Sequence, residues 1–388
     1  MADFNFDKTI NRRNTNSYKW DSASGDDVLP MWVADMDFQT APCIIEALRK
    51  RVDHGVFGYT RVPEEYYHAI ISWFGRRHGW NITRDMILYT SGVVPAISAV
   101  IKALTKPGDK VIVQTPVYNC FFSSIRNNGC EILENPLRYA DRRYTIDFDD
   151  LEERAKDPKA RLLLLCNPHN PAGRVWTSEE LARLNDICKR NGVMVVSDEI
   201  HCELTFPGHG YIPFASISED CLQNCVVCNS PSKAFNIAGL QIANIFSVSP
   251  EIREKIDRAI NINEVCDVNP FGVVALMAAY NEGEEWLEVL KRYLHHNYLT
   301  LREYFDKNIP GLDVVEMEGT YLVWVDCRPL GIASDTLEHR LLEQERLWLN
   351  SGTMYGKDGF MRINIACPTS VMTEGLNRFS HFLENLKH

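Results

Sequence analysis

Four short stretches of this chain are apolar at consecutive positions rather than alternate ones: KVIVQTP (Lys110 to Pro116), ARLLLLCNP (Ala160 to Pro168), GVMVVSDE (Gly192 to Glu199) and NCVVCNS (Asn224 to Ser230). A strand with one wet face alternates, whereas a strand covered on both faces reads as a continuous apolar run, so these stretches predict a buried parallel sheet. The segments between them carry helical patterns. SEELARLNDICKRNG, Ser178 to Gly192, opens behind a Thr/Ser cap, repeats Leu181, Leu184, Ile187 and Cys188, and closes on glycine. Strand and helix alternate in this way through the centre of the chain, which reads as α/β with right-handed crossovers.

Beyond about Asn281 the pattern changes. A long amphipathic helix, roughly Glu284 to Lys307, precedes strands expected around Leu312 to Glu318 and Tyr321 to Asp326. A further strand is expected over Met361 to Cys367, and the chain ends on a helix. The reading is a large unit over 46–283 and a smaller α+β unit over 284–388, the latter joined by the amino-terminal segment 1–45.

The chain of 388 residues has 45% hydrophobic residues, enough for a sizeable core, which excludes a disordered, collagenous or small disulfide-stapled protein. The net charge of −11 argues against nucleic-acid binding, which needs clustered positive charge. No stretch approaches ~18 apolar residues, so no membrane span is expected. MADFNFDKTINRRNTN lacks a basic region followed by an apolar run, so a secretory signal is not expected and the protein is expected in the cytoplasm. There the twelve cysteines, which follow no framework spacing, would be free thiols.

In an open parallel sheet, ligands bind beyond the carboxyl ends of the strands. After ARLLLL come Asn167 and Asn170; after VMVVS comes Asp198 with His201; after NCVVCN come Ser230, Ser232 and Lys233. An amide, a carboxylate, two hydroxyls and an amine thus reach one rim from three strands. Gaps of 28 residues from Asn170 to Asp198 and 35 from Asp198 to Lys233 each hold one crossover helix and a strand. Upstream, YTSGVVPAISAVIKAL (Tyr89 to Leu104) runs from a Ser-Gly turn into an apolar helix. Its first N–H groups, at Gly92, Val93 and Val94, suit a phosphate, although a glycine turn before a core helix reads the same way.

NPHNPAGRVW, VSDEIH and SPSKAFNIAGLQ, in this order, resemble the fold-type I pyridoxal-phosphate enzymes related to aminotransferases, nearly end to end. PMWVADMDF, GYT at Gly58, SGVVPAI and DEIHCEL resemble more narrowly the MalY/PatB-type cystathionine β-lyases, the carbon–sulfur lyase branch. The resemblance implies a mostly parallel seven-stranded sheet flanked by helices, over 46–283, with pyridoxal 5′-phosphate as cofactor, plus the smaller domain from the two chain ends.

It also implies roles. Lys233 would condense with the cofactor aldehyde and then act as base on Cα. Asp198 would pair with the pyridinium nitrogen. Asn170 would donate to the ring's 3′-oxygen and adjoin the substrate, and Asn167 would shape the turn. Tyr118 would stack on the ring. Ser230 and Ser232 would bind the phosphate with Gly92, Val93 and Val94, and Tyr59 would reach it from the other subunit of a homodimer. Arg362 would clamp the substrate carboxylate, with Val33 and Ala34 beside it. Catalysis would fall to Lys233, Tyr118 and Tyr59.

Two positions depart from the aminotransferase pattern. Gln241 stands eight residues after the lysine, where an arginine commonly helps hold phosphate, leaving one contact unassigned. His201 stands where a tyrosine is usual, and is expected to contact the ring oxygen or orient its neighbours. The reaction implied is α,β-elimination from L-cystathionine- or L-cysteine-type amino acids, giving a thiol, pyruvate and ammonia. An aminotransferase using the same residues, or a regulatory role through a protein partner, are the alternatives.

Two imitations carry less. His201-Cys-Glu203 followed by Cys225-Val-Val-Cys228 mimics a zinc deaminase signature, and Cys221, Cys225 and Cys228 mimic an iron–sulfur triad; both fall in or beside an apolar strand, and no metal is expected. Gly352-Thr-Met-Tyr-Gly356-Lys-Asp358 vaguely mimics a Walker loop, with three residues between its glycines and an aspartate in place of the hydroxyl.

Overall fold

The computed structural model describes residues 4–23, 25–263 and 267–386. Its main sheet has seven strands: β1 (Ile87–Thr90), β2 (Lys110–Val113), β3 (Glu131–Glu134), β4 (Ala160–Cys166), β5 (Met194–Asp198), β6 (Cys225–Asn229) and β7 (Ala243–Phe246). They lie in the order β1-β7-β6-β5-β4-β2-β3, and only β7 runs against its neighbours.

The consecutive apolar residues are explained by two cores, one on each face. In β4, Leu163 and Leu165 enter one hydrophobic cluster, and Leu162, Leu164 and Cys166 enter the other. In β6, Cys225 and Val227 face one way, Val226 and Cys228 the other. Side chains of a strand alternate across the sheet, so covering both faces makes every position apolar.

The four runs read from sequence are strands β2, β4, β5 and β6. The helix after β4 spans Ser178–Arg190 and starts with a capping box, in which the Thr177 hydroxyl accepts from the Glu180 N–H and the Glu180 carboxylate accepts from the Thr177 N–H. Such a cap contributes about 1 kcal/mol.

The second sheet is antiparallel, in the order β8-β9-β11-β10, from β8 (Asp313–Val314), β9 (Leu322–Asp326), β10 (Asn350–Ser351) and β11 (Phe360–Asn364). The strand expected over Leu312 to Glu318 is cut to two residues. Glu316 N–H turns to the Arg142 carbonyl and Glu318 N–H to the Gly173 carbonyl, which draws this stretch away from β9 and onto the main-sheet part of the molecule. The helices Glu284–Asn308 and Thr369–Asn385 cover this sheet, with Phe305 against Phe379. The amino-terminal residues join here too: Leu29–Pro30 pair with Leu347–Trp348 in parallel, and Phe6 packs on Trp286 and Tyr293. No helix among the described residues is long and apolar enough to cross a membrane.

Candidate active site

The carboxyl ends of β1, β2, β4, β5 and β6 open onto one cavity of about 180 Å³. Ten of the residues read from sequence line it: Ala34, Gly92, Val93, Val94, Tyr118, Asn170, Asp198, His201, Ser232 and Lys233. Asp198 ends β5 at the middle of the sheet and faces Lys233 from the turn after β6.

Burial pushes the Asp198 carboxyl up to about 7; an N–H from Ile200 and the Lys233 charge oppose this, and Glu199 adds to it. Burial, then the Arg362 charge, draws the Lys233 amine down to about 8. An acid held near neutrality and an amine that sheds its proton near neutrality are poised for proton transfer and condensation. The Lys233 Nζ donates to the Ala34 carbonyl at 2.6 Å, and Tyr321 Oη donates to the same carbonyl at 3.0 Å.

At the opposite end of the cavity the helix Val93–Leu104 begins on Gly92. Pro95 has no N–H, so the free donors of this first turn are confined to 92–94, with the helix dipole behind them. Ser91 and Gln241 complete that wall.

Burial drives the His201 imidazole down to about 3, so it is neutral, and its Nδ1 has no hydrogen-bond partner. Arg362 is buried beside the cavity. Its Nη1 donates to Asn170 Oδ1 at 3.3 Å, its Nη2 to the Trp32 carbonyl at 2.7 Å, and its Nε has no partner. A buried guanidinium with unused donor capacity can accept a carboxylate.

Other candidates stand elsewhere. Ser230 Oγ donates to the Ile242 carbonyl at 2.6 Å and accepts from Ser232 N–H, so it braces the turn carrying Lys233 rather than lining the cavity. The Val33 carbonyl accepts from Asn364. Tyr59 is fully exposed within the single chain. Asn167 shapes its turn as read: its N–H donates to the Asp198 carbonyl, and its amide donates to Ile212 and Glu199. Sequence reasoning missed Ser91, Cys166 and Tyr321. The first two lie inside quoted motifs, in SGVVPAI and ARLLLLCNP, without having been singled out; Tyr321 lies in an apolar strand run that gives no local sign of a site.

Cys225 and Cys228 project from opposite faces of β6, so one ion cannot reach both. His78, Cys202 and Glu203 cluster behind the site, but Glu203 is already saturated. Trp73 Nε1 (2.6 Å) and His78 Nε2 (2.7 Å) meet its Oε1, and Arg77 Nε (2.9 Å) meets its Oε2. Those bonds and the cationic neighbours outweigh its burial and hold the carboxylate down at about 2. The cluster is an ion-pair brace for the turn after β5.

The two sheets, and a lysine and aspartate set at the ends of adjacent strands, define the aminotransferase-like, fold-type I class of α/β proteins. The chain belongs to the family described as Aminotransferase class I and II, whose profile matches residues 26–379. It is 42% identical over 380 residues to cystathionine beta-lyase PatB of Bacillus subtilis (strain 168), covering 96% of this chain and 98% of that protein. Among solved structures, PLP-bound putative aminotransferase from Clostridium difficile 630 superposes with a TM-score of 0.95 at 41% identity, covering 97% of this chain and 99% of that one. Cystalysin from Treponema denticola, which contains a pyridoxal 5′-phosphate cofactor, superposes with a TM-score of 0.96 at 37% identity, covering 99% and 100%.

Proposed function

We propose that this protein is a pyridoxal-phosphate-dependent carbon–sulfur β-lyase, acting on L-amino acids that carry sulfur on Cβ, such as L-cystathionine. The observation that carries the reading is the convergence of Lys233, Asp198 and a helix amino terminus in one cavity with unpartnered nitrogens on His201 and Arg362. This donor set fits the cofactor: an amine for its aldehyde, a carboxylate for its ring nitrogen, and N–H groups for its phosphate. The lyase relatives over the full chain length give the reaction its direction.

When bound, the cofactor supplies an electron sink for the charge left on Cα after proton removal. Lys233 would hold it covalently and then, as a free amine with a proton affinity near neutrality, take the α-proton. Asp198 would keep a proton on the ring nitrogen, a role its carboxylate takes up once a cation stands beside it. Asn170 and His201 would meet the ring oxygen, Tyr118 its face, and Ser232 with Gly92–Val94 its phosphate. Arg362 would clamp the substrate carboxylate, with Ala34 and Val33 alongside. Elimination then releases a thiol and aminoacrylate, which water hydrolyses to pyruvate and ammonia.

The reading also includes a homodimer in the cytoplasm. In it Tyr59, exposed in one copy, would reach the other copy's phosphate site, and residues 1–45 with 284–388 would form a small domain on the large one, 46–283. The putative aminotransferase among the structural relatives favours a second reading, transamination by the same residues. Pyruvate release from L-cystathionine without any added 2-oxo acid is the expected result; no pyruvate, with an added 2-oxo acid converted to its amino acid, would make the protein an aminotransferase.

A further inference from the structure

The Gly352–Gly356 stretch departs from a Walker loop in its spacing, and its structure gives it another use. It forms a tight 3-10 turn, Gly352–Tyr355, between β10 and β11. A Cβ on Gly352 would stand 2.6 Å from the Phe360 carbonyl oxygen, so only glycine lets the turn fold back onto β11. Gly356 ends the turn at φ +84°, in the left-handed region that glycine adopts without steric cost. The turn delivers Tyr355, 1% exposed, under Arg362.

The Arg362 Cζ lies 4.8 Å from the Tyr355 ring centroid, a cation–π contact out of water. Asn350, the cross-strand partner of Arg362, donates to Tyr355 Oη at 2.9 Å and to the Trp32 carbonyl at 2.8 Å, the carbonyl that Arg362 also meets. Trp324 packs edge-on against the far side of Tyr355, at 5.5 Å and 84°. The Tyr355 carbonyl accepts from Val117 N–H at 3.0 Å, one residue before Tyr118. One residue therefore touches both ends of the site: its ring carries the guanidinium, and its backbone anchors the loop of the ring-stacking tyrosine.

We propose that Tyr355 is the positioning residue that sets the plane of Arg362 toward the substrate α-carboxylate. With its Nη groups tethered to Asn170 and Trp32 and one face on Tyr355, the guanidinium has a single orientation, and its unpartnered Nε–H and the second hydrogen on each Nη are left for a ligand. The inference rests on the reading of Arg362 as the carboxylate clamp.

The test uses holoenzyme and propionate, a carboxylate without an amine, as a competitive inhibitor; the cofactor dissociation constant is measured alongside by adding cofactor back to stripped protein. Tyr355→Leu is expected to weaken propionate and raise KM by about 30-fold, the scale of a buried cation–π contact. The same variant should leave kcat within about threefold and the cofactor constant unchanged. Tyr355→Phe, which keeps the ring and Trp324 packing, should restore both values to within about threefold of wild type. Tyr355→Met is the alternative if the leucine variant does not fold. Combined with Arg362→Lys, Tyr355→Leu should add less than about twofold. Additive effects, equal damage from phenylalanine and leucine, or loss of cofactor binding in step with activity would each overturn the proposal. If Arg362→Lys itself leaves propionate binding unchanged, the clamp reading fails; if it weakens binding and Tyr355→Leu does not, only the role of Tyr355 falls.

Discussion

Asp198 is a carboxyl that folding buries before any ligand neutralises it, and this makes a stability prediction with a definite sign. Its folded value of about 7 stands about three units above the ordinary 3.8, mainly through burial. At about 1.36 kcal/mol per unit, that is about 4 kcal/mol. Because the folded value is the higher one, the stabilising contribution is complete below pH ~4 and is lost as pH rises through about 7. Cofactor-stripped wild-type protein should therefore lose about 4 kcal/mol between pH 4 and 8 that Asp198→Asn does not lose. Lys233, drawn down to about 8 with the Asp198 charge among the groups that hold it up, stays protonated over most of this range in wild type, so the loss below pH ~7 is that of Asp198. Urea unfolding at fixed protein concentration, repeated at half-unit pH steps, measures it. The variant should be the more stable protein at pH 8 and the less active enzyme, and cofactor should stabilise wild type more than the variant. Parallel pH profiles, agreeing within about 1 kcal/mol, would refute the account of Asp198 as an acid kept neutral by burial.

Further outcomes follow from the same site. Lys233→Ala should lose turnover and leave no borohydride-fixed adduct at position 233, read by peptide mass; an adduct elsewhere would move the attachment point. Mixing Lys233→Ala with Tyr59→Ala subunits should recover up to about a quarter of wild-type activity if sites are shared between two copies, and gel filtration of the mixture reports the assembly. No recovery in proven hybrid dimers would return Tyr59 to the surface of its own chain. Glu203→Ala leaves Arg77 its bonds to Glu284 and Glu288 but takes the acceptor from Trp73 and His78, and should cost about 1–3 kcal/mol in unfolding, while Glu203→Gln, which keeps the Trp73 bond, should cost less.

The central sheet was legible because burial on both faces writes itself into consecutive residues. The rim residues were legible because strands end in place and their next residues must face the ligand side. Edge strand β3, EILE and half exposed, carried no such run, and in β1 (ILYT) and β7 (ANIF) a tyrosine, a threonine and an asparagine interrupt it. The strand expected over Leu312 to Glu318 failed because hydrogen bonds to Arg142 and Gly173, distant in sequence, claimed its N–H groups.

Chain order alone thus determined four strands of the sheet, the lysine, the aspartate and the helix start, since each depends on neighbours a few residues away. Tertiary structure decided the amino-terminal arm. Arg12, Lys19 and Trp20 grip Asp37, and Arg12 also grips Asp35. That fixes the carbonyls of Trp32 and Ala34 against Arg362 and Lys233. Those partners lie 330 and 199 positions apart, and carbonyls are the same in every residue, so no pattern of side chains along the chain can announce where they meet.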